Sequence, residues 1–234
     1  MLRLWFGGTF DPVHNGHLAI ARAARDELGV AVRLMPAADP PHRTRPGADA
    51  AARAHMLALA IGDEPGLAVD RRELDRPGPS YSIDTVRSLR AEYGADSPLA
   101  LLLGADSFLS LPTWHEWTAL FGQVHLVVAD RPGSPLEGPM RQDAGVTPGT
   151  GGLPAALAAA VAGRWRQDPA ALAATPAGCV YRLHQPLTPE SATEVRSLIA
   201  HGGDWPDRVP SPVAAFIRAH GLYTGRGYNA RTPC

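Results

Sequence analysis

The stretch Gly7-Gly8-Thr9-Phe10-Asp11-Pro12-Val13-His14-Asn15-Gly16-His17-Leu18 constrains the fold of this chain more than any other. It follows an apolar run from Leu2 to Phe6, broken only by Arg3, that reads as a buried first strand. It leads into Leu18 to Leu28, good helix sequence closed by Gly29. Two glycines at a strand-to-helix turn let the backbone approach a ligand closely. The helix start behind them offers unpaired N–H groups and a positive dipole end. His14 and His17 are three apart, so helical spacing puts both rings on one face of the first turn. There they can donate hydrogen bonds to phosphate oxygens. The stretch reads as a polyphosphate site, with a histidine metal pair or plain surface residues as the alternatives.

The rest of the chain repeats this alternation. Strand-like runs recur at Leu2–Phe6, Val30–Met35, Leu67–Asp70, Leu99–Leu103, Val124–Ala129 and Val180–Leu183. Helix-like segments at Gly16–Leu28, Ala48–Ile61, Ser82–Tyr93 and Trp114–Phe121 lie between most of them. Short apolar strands alternating with helices predict an α/β fold: a Rossmann-like, doubly wound parallel sheet with a small C-terminal helical part. Ligands in such sheets bind at the carboxyl ends of strands, where strand order reverses. The first βα turn is such a place. One nucleotide-site domain is expected over 1–223, with 132–152 as an exposed loop before an alanine-rich helix and 224–234 as a frayed tail.

Charge and cysteine content remove several functions. A formal net charge of −1 argues against a nucleic-acid surface. Cys179 and Cys234 build no disulfide framework, so a reducing cytoplasm is the expected compartment. No apolar run is long enough for a bilayer, and no membrane partner is expected.

Further motifs fall at the ends of the strand-like runs. Pro40-Pro41-His42-Arg43 follows the second, where a stiff loop adds anion-binding donors, or is simply a solvated basic loop. Pro79-Ser80-Tyr81-Ser82-Ile83-Asp84-Thr85 precedes a helix, and Ser82 with Thr85 could cap it. Gly104-Ala105-Asp106 puts a carboxylate at the sheet's ligand edge, able to accept from ribose hydroxyls, to hold Mg²⁺ indirectly, or to cap a helix. Trp114, beside Pro112-Thr113, suits stacking on a flat heterocycle, whereas Trp117 suits the core. Ser191 and Glu194 form an S-x-x-E capping box. That box does not explain Thr193 and Arg196, a hydroxyl and a guanidinium three apart at a helix start, which is what a nucleoside triphosphate needs.

In these motifs the chain resembles the H-x-G-H nucleotidyltransferases, relatives of the class I aminoacyl-tRNA synthetases. Within them it is similar to the bacterial nicotinate-nucleotide adenylyltransferases. The markers run collinearly from Leu4 to Tyr223: G-G-T-F-D-P-x-H-x-G-H-L, P-P-H-R, P-S-Y-S, G-A-D-S, P-T-W and S-A-T-x-V-R. The resemblance implies adenylyl transfer from ATP to nicotinate mononucleotide by direct in-line attack, with Mg²⁺ accompanying the phosphates. It implies that His14, His17 and Arg196 act in catalysis. It implies that Gly7, Gly8, Thr9, Phe10, Gly16, Gly104, Asp106, Arg131, Ser191 and Thr193 bind ATP. His42, Arg43, Tyr81, Ser82, Thr85, Trp114 and His115 would form the mononucleotide side, the ring on Trp114 and its carboxylate on backbone N–H groups around Ser82 and His115. Glu190 stands where the family usually has Ile, and would bring a negative charge near the phosphates unless it points outward. A sibling transferase or a nucleotide-binding protein without turnover is the competing reading, and the protein is expected to be a monomer or small homo-oligomer.

Overall fold

Continuous apolar runs become strands here because both faces of the sheet are covered. The structure is a computed structural model and describes residues 1–39, 46–130, 152–185 and 190–224. Its strands are β1 (Arg3–Gly8), β2 (Val32–Pro36), β3 (Leu67–Val69), β4 (Leu99–Gly104), β5 (His125–Ala129), β6 (Trp165–Arg166) and β7 (Val180–Leu183). They pair in parallel in the order β3-β2-β1-β4-β5-β7-β6. The alternation along β1 and β4 shows the double covering. Leu4, Phe6, Ala100 and Leu102 enter one core, while Trp5, Leu101 and Leu103 enter the other. This is the α/β, Rossmann-like architecture that the sequence predicts.

The helices are α1 (Asn15–Leu28), α2 (Ala50–Ile61), α3 (Ser82–Tyr93), α4 (Ala105–Leu109), α5 (Ala155–Val161), α6 (Ala170–Ala174), α7 (Ala192–Ala200) and α8 (Ser211–His220). The last two form the C-terminal helical part, and Val195, Ile199, Val213 and Ile217 bury themselves with Leu57 and Ile61 of α2. Helix α1 stops at Gly29, whose φ of +63° is the left-handed turn that glycine adopts without cost. Among the described residues no helix is long and apolar enough to cross a membrane.

Chain order fixes where a ligand can enter. The chain lays β1, β2 and β3 outward in one direction, then returns to place β4 on the other side of β1. Order therefore reverses between β1 and β4, and Gly7, Gly8 and Gly104 end the two strands there. A crevice opens at that point.

Two points differ from the sequence expectation. Trp114–Phe121 is not an α-helix: 3₁₀ turns at Leu111–Thr113 and Trp117–Gly122 flank an extended Trp114, and Glu116 takes a left-handed φ of +47°. Strand β6 has no apolar run and was not foreseen. The predicted loop and tail lie outside the described residues, apart from Gly152 and Thr224.

Candidate active site

The crevice is a cleft of about 730 Å³. Its floor is the first βα turn: Gly7, Gly8, Thr9, Phe10, Asp11, His14, Gly16 and His17 all line it. Gly104 and Asp106 line it from β4 and α4, and Glu190, Ser191, Thr193 and Arg196 from the start of α7. The turn is compact for a steric reason. Phe10 has a φ of +50°, and a Cβ on Gly8 would stand 3.0 Å from its ring. A side chain at position 8 would crowd Phe10, whose ring meets His17 edge-on at 5.0 Å.

His14 and His17 do share one face, with ring centroids 3.7 Å apart. His14 is the N-cap of α1, and its backbone N–H donates to His17 Nδ1 at 3.2 Å. The accepting Nδ1 leaves the ring proton of neutral His17 on Nε2. Burial lowers the His14 imidazole from 6.5 to about 4, so it is neutral at physiological pH. The His14 side chain in turn faces the backbone N–H of His17, closing a capping box at the start of α1. Across the cleft Ser191 Oγ caps α7 by accepting from Glu194 N at 3.2 Å. The Glu194 carboxylate, which a capping box would use reciprocally, pairs with Arg208 at 3.1 Å. Arg196 donates to the Asp11 carbonyl at 2.7 Å and to Thr193 Oγ1 at 3.3 Å.

A smaller cavity of about 60 Å³ adjoins the cleft, lined by Gly7, Gly8, Thr9, Met35, Ala37, Glu73, Ser80, Ser82, Leu101, Leu103, Ser107 and Trp114. Gly7, Gly8, Thr9 and Ser107 line both spaces, so the two meet at the turn. The start of α3 faces this side. Its N-cap is Tyr81, and no side chain caps it, which leaves first-turn N–H groups for a ligand.

Comparison with known proteins gives the family. The cytidylyltransferase-like family model matches residues 5–198. A protein of Stenotrophomonas maltophilia named "Probable nicotinate-nucleotide adenylyltransferase" is 58% identical over 227 residues, covering 95% of this chain and 96% of its own. An Escherichia coli protein of the same name is 38% identical, covering 95% and 98%. The chain belongs to the nicotinate-nucleotide adenylyltransferase family. Two solved structures of Plasmodium falciparum nicotinic acid mononucleotide adenylyltransferase, complexed with NaAD and with APC, match at TM-scores of 0.64 and 0.61. Each is 14% identical and covers 97% of this chain and 98% of its own, a likeness of fold.

Against the family pattern, the residues divide clearly. Every expected phosphate-side residue within the described region lines the larger cleft, and Ser82 and Trp114 line the smaller cavity. Arg131, His42 and Arg43 lie outside the described residues. Thr85 lines neither cavity and does not cap α3. It is wholly buried, and its hydroxyl donates to Glu73 at 2.7 Å while accepting from Arg76 at 3.0 Å. Tyr81 and His115 stack on each other at 4.6 Å and line neither cavity. Glu190 does not point away: it lines the cleft, and its Oε2 is buried without a hydrogen-bond partner.

Four residues that shape the site carry no motif. Arg53, 1% exposed, donates to the carbonyls of Thr9 and Ala37 at 2.7 Å each, Ala38 at 3.0 Å and Ala48 at 3.2 Å. It ties the first and second βα loops together. Glu73 is a buried carboxyl whose pKa is raised by burial, and it anchors Thr85. Asp130 lines the cleft in a 2.6 Å ion pair with Arg182. Tyr223 donates to Asp11 at 2.8 Å. One signal was available for Arg53, a charged residue set inside the apolar helix pattern Ala50–Ile61.

Proposed function

We propose that the chain transfers the adenylyl group of ATP to nicotinate mononucleotide, giving deamido-NAD and pyrophosphate for NAD biosynthesis. The observation that carries this reading is the meeting of the two cavities at Gly7-Gly8-Thr9 and Ser107. A triphosphate in the larger space and a pyridine ring in the smaller would bring two phosphates together over the start of α1. One oxygen of the mononucleotide phosphate attacks the α-phosphorus in line, the bond to the bridging oxygen breaks, and pyrophosphate leaves with that electron pair. The attacking phosphate is already ionised, so no general base is needed. Positioning and charge neutralisation carry the catalysis.

In this reading His14 and His17 donate to phosphate oxygens, and both residues line the larger cleft. Arg196 grips the triphosphate from the start of α7 with Ser191 and Thr193. Gly104 and Asp106 meet the adenosine. Trp114 stacks on the pyridine ring, and its carboxylate takes the uncapped N–H groups at Ser82. Mg²⁺ on the ATP phosphates would withdraw charge from the leaving pyrophosphate. In this reading the ATP phosphates themselves hold most of it. The cleft carboxylate of Asp106 suits a cation nearby. A single domain over 1–223 is part of the reading, supported by one core cluster that runs from Leu2 to Leu222.

Pyrophosphate release from ATP with nicotinate mononucleotide, compared with nicotinamide mononucleotide, tests it. Turnover with a clear preference for the acid is expected, because an amide turns its NH₂ against one backbone donor at a cost of roughly 1–3 kcal/mol. No release with the acid, or equal kcat/KM for the two, would overturn the assignment.

A further inference from the structure

Asp11 lies beneath the phosphate side of the cleft, 5% exposed, with its carboxylate fully engaged. Oδ2 accepts from Gly47 N at 2.8 Å, and Oδ1 accepts from Ala48 N at 3.1 Å and the Tyr223 hydroxyl at 2.8 Å. Arg196 Nη1 bonds the Asp11 main-chain carbonyl at 2.7 Å, yet stays 3.7 Å from the carboxylate Oδ2. The guanidinium therefore rests beside an anion without closing a short ion pair on it.

Tyr223 is held in place for this contact. It follows the left-handed Gly221 at the end of α8 and itself takes a φ of +66°, an uncommon and strained conformation for an aromatic residue. Its ring packs on Gly47 so tightly that a Cβ there would lie 2.9 Å away, and Arg196 Cδ borders the same spot at 3.5 Å. Burial and the Asp11 charge both raise the phenol pKa, which keeps its proton on.

We propose that Tyr223 is a positioning residue for adenylyl transfer: by donating to Asp11, its hydroxyl keeps the Arg196 guanidinium available to the triphosphate. The proposal rests on the function argued above. Without the hydroxyl, Oδ1 keeps only Ala48 N, and the carboxylate needs a new donor. Arg53 cannot supply it, because its guanidinium is committed to the carbonyls of Thr9, Ala37, Ala38 and Ala48. Arg196 can offset the loss by closing about 1 Å on Oδ2, from 3.7 Å to the 2.7–2.9 Å of a charge-assisted bond. Its guanidinium would then face Asp11 instead of the cleft.

Tyr223→Phe preserves the ring and removes the donor. The expected result is a KM for ATP raised about tenfold and a severalfold lower kcat, with the mononucleotide KM and the melting temperature little changed. Calorimetric binding of ATP alone, without mononucleotide, should weaken by the same factor, so this arm stands whatever the second substrate is. In an Arg196→Ala background the Tyr223→Phe effect on ATP binding should vanish, as coupled residues require. Unchanged ATP binding in Tyr223→Phe would overturn the proposal. So would an equal rise in both KM values, or an effect that persists without Arg196. Failure of the unmodified protein to turn over nicotinate mononucleotide, with ATP still bound, would strike the function and not this mechanism.

Discussion

Lowering the pH should destabilise the free protein through one buried imidazole. His14 is 6% exposed, and burial lowers it from 6.5 to about 4. Between these values the unfolded chain binds a proton that the folded chain refuses, so stability is present in full above 6.5 and falls as pH drops towards 4. At about 1.4 kcal/mol per pH unit, the loss approaches about 3 kcal/mol at pH 4. A kilocalorie moves the melting temperature of a chain this long by roughly 2–4 °C, which makes about 10 °C attributable to His14. His125 is lowered in the same direction by burial, so the comparison must be made against a variant. Calorimetric melting from pH 7 to pH 4 should show a slope that His14→Asn reduces by about this amount. Saturating ATP should flatten the slope in the unmodified protein, because a phosphate beside the ring favours its protonated form and binding then takes up a proton. Parallel melting curves for the variant and the unmodified protein would refute the buried-imidazole account.

Arg53→Met should keep the packed stem and leave four carbonyls without a donor. Leaving a buried acceptor unpaired costs about 1–3 kcal/mol, so losing several together should lower the melting temperature by about 10 °C and raise the ATP KM. A melting temperature within 2 °C or so of the unmodified protein would show that water replaces the guanidinium. Glu190→Ile removes a carboxylate from the phosphate cleft, and steady-state kinetics should show the ATP KM lowered about threefold to tenfold. An increase would mean that Glu190 contributes to binding through a cation. Trp114→Ala should raise the mononucleotide KM about tenfold, near 1.4 kcal/mol, with ATP binding spared in calorimetry. A loss confined to ATP would move the ring to another surface.

The strands were legible because burial on both faces leaves an uninterrupted apolar run, as in Leu99–Leu103, for which no partner need be known. Strand β6 was not, since two residues at an edge, one of them Arg166, carry no period. Trp114, Trp117 and Phe121 are spaced as a helix would space them, yet the left-handed Glu116 breaks the turn, and no feature of Glu116 itself announces this. In the site, the glycines and histidines were legible because one short segment holds them. Thr85 was misread because a hydroxyl early in a helix suggests a ligand or a cap, while the side chain turns inward to Glu73, twelve residues upstream. Arg53 and Tyr223 act on loops 44 and 212 residues away along the chain, and local pattern carries no record of such partners.

The bond between Tyr223 and Asp11 also sets a schedule. The ribosome makes Asp11 first and supplies its phenol donor 212 residues later. At 5–20 residues per second that interval is roughly 10–40 s. Through that time the nascent phosphate loop carries a carboxylate whose donor has not been synthesised. The assembly of the loop is thus tied to one of the last helices to emerge, and a chain stalled before α8 would display the nucleotide motif without its finished geometry.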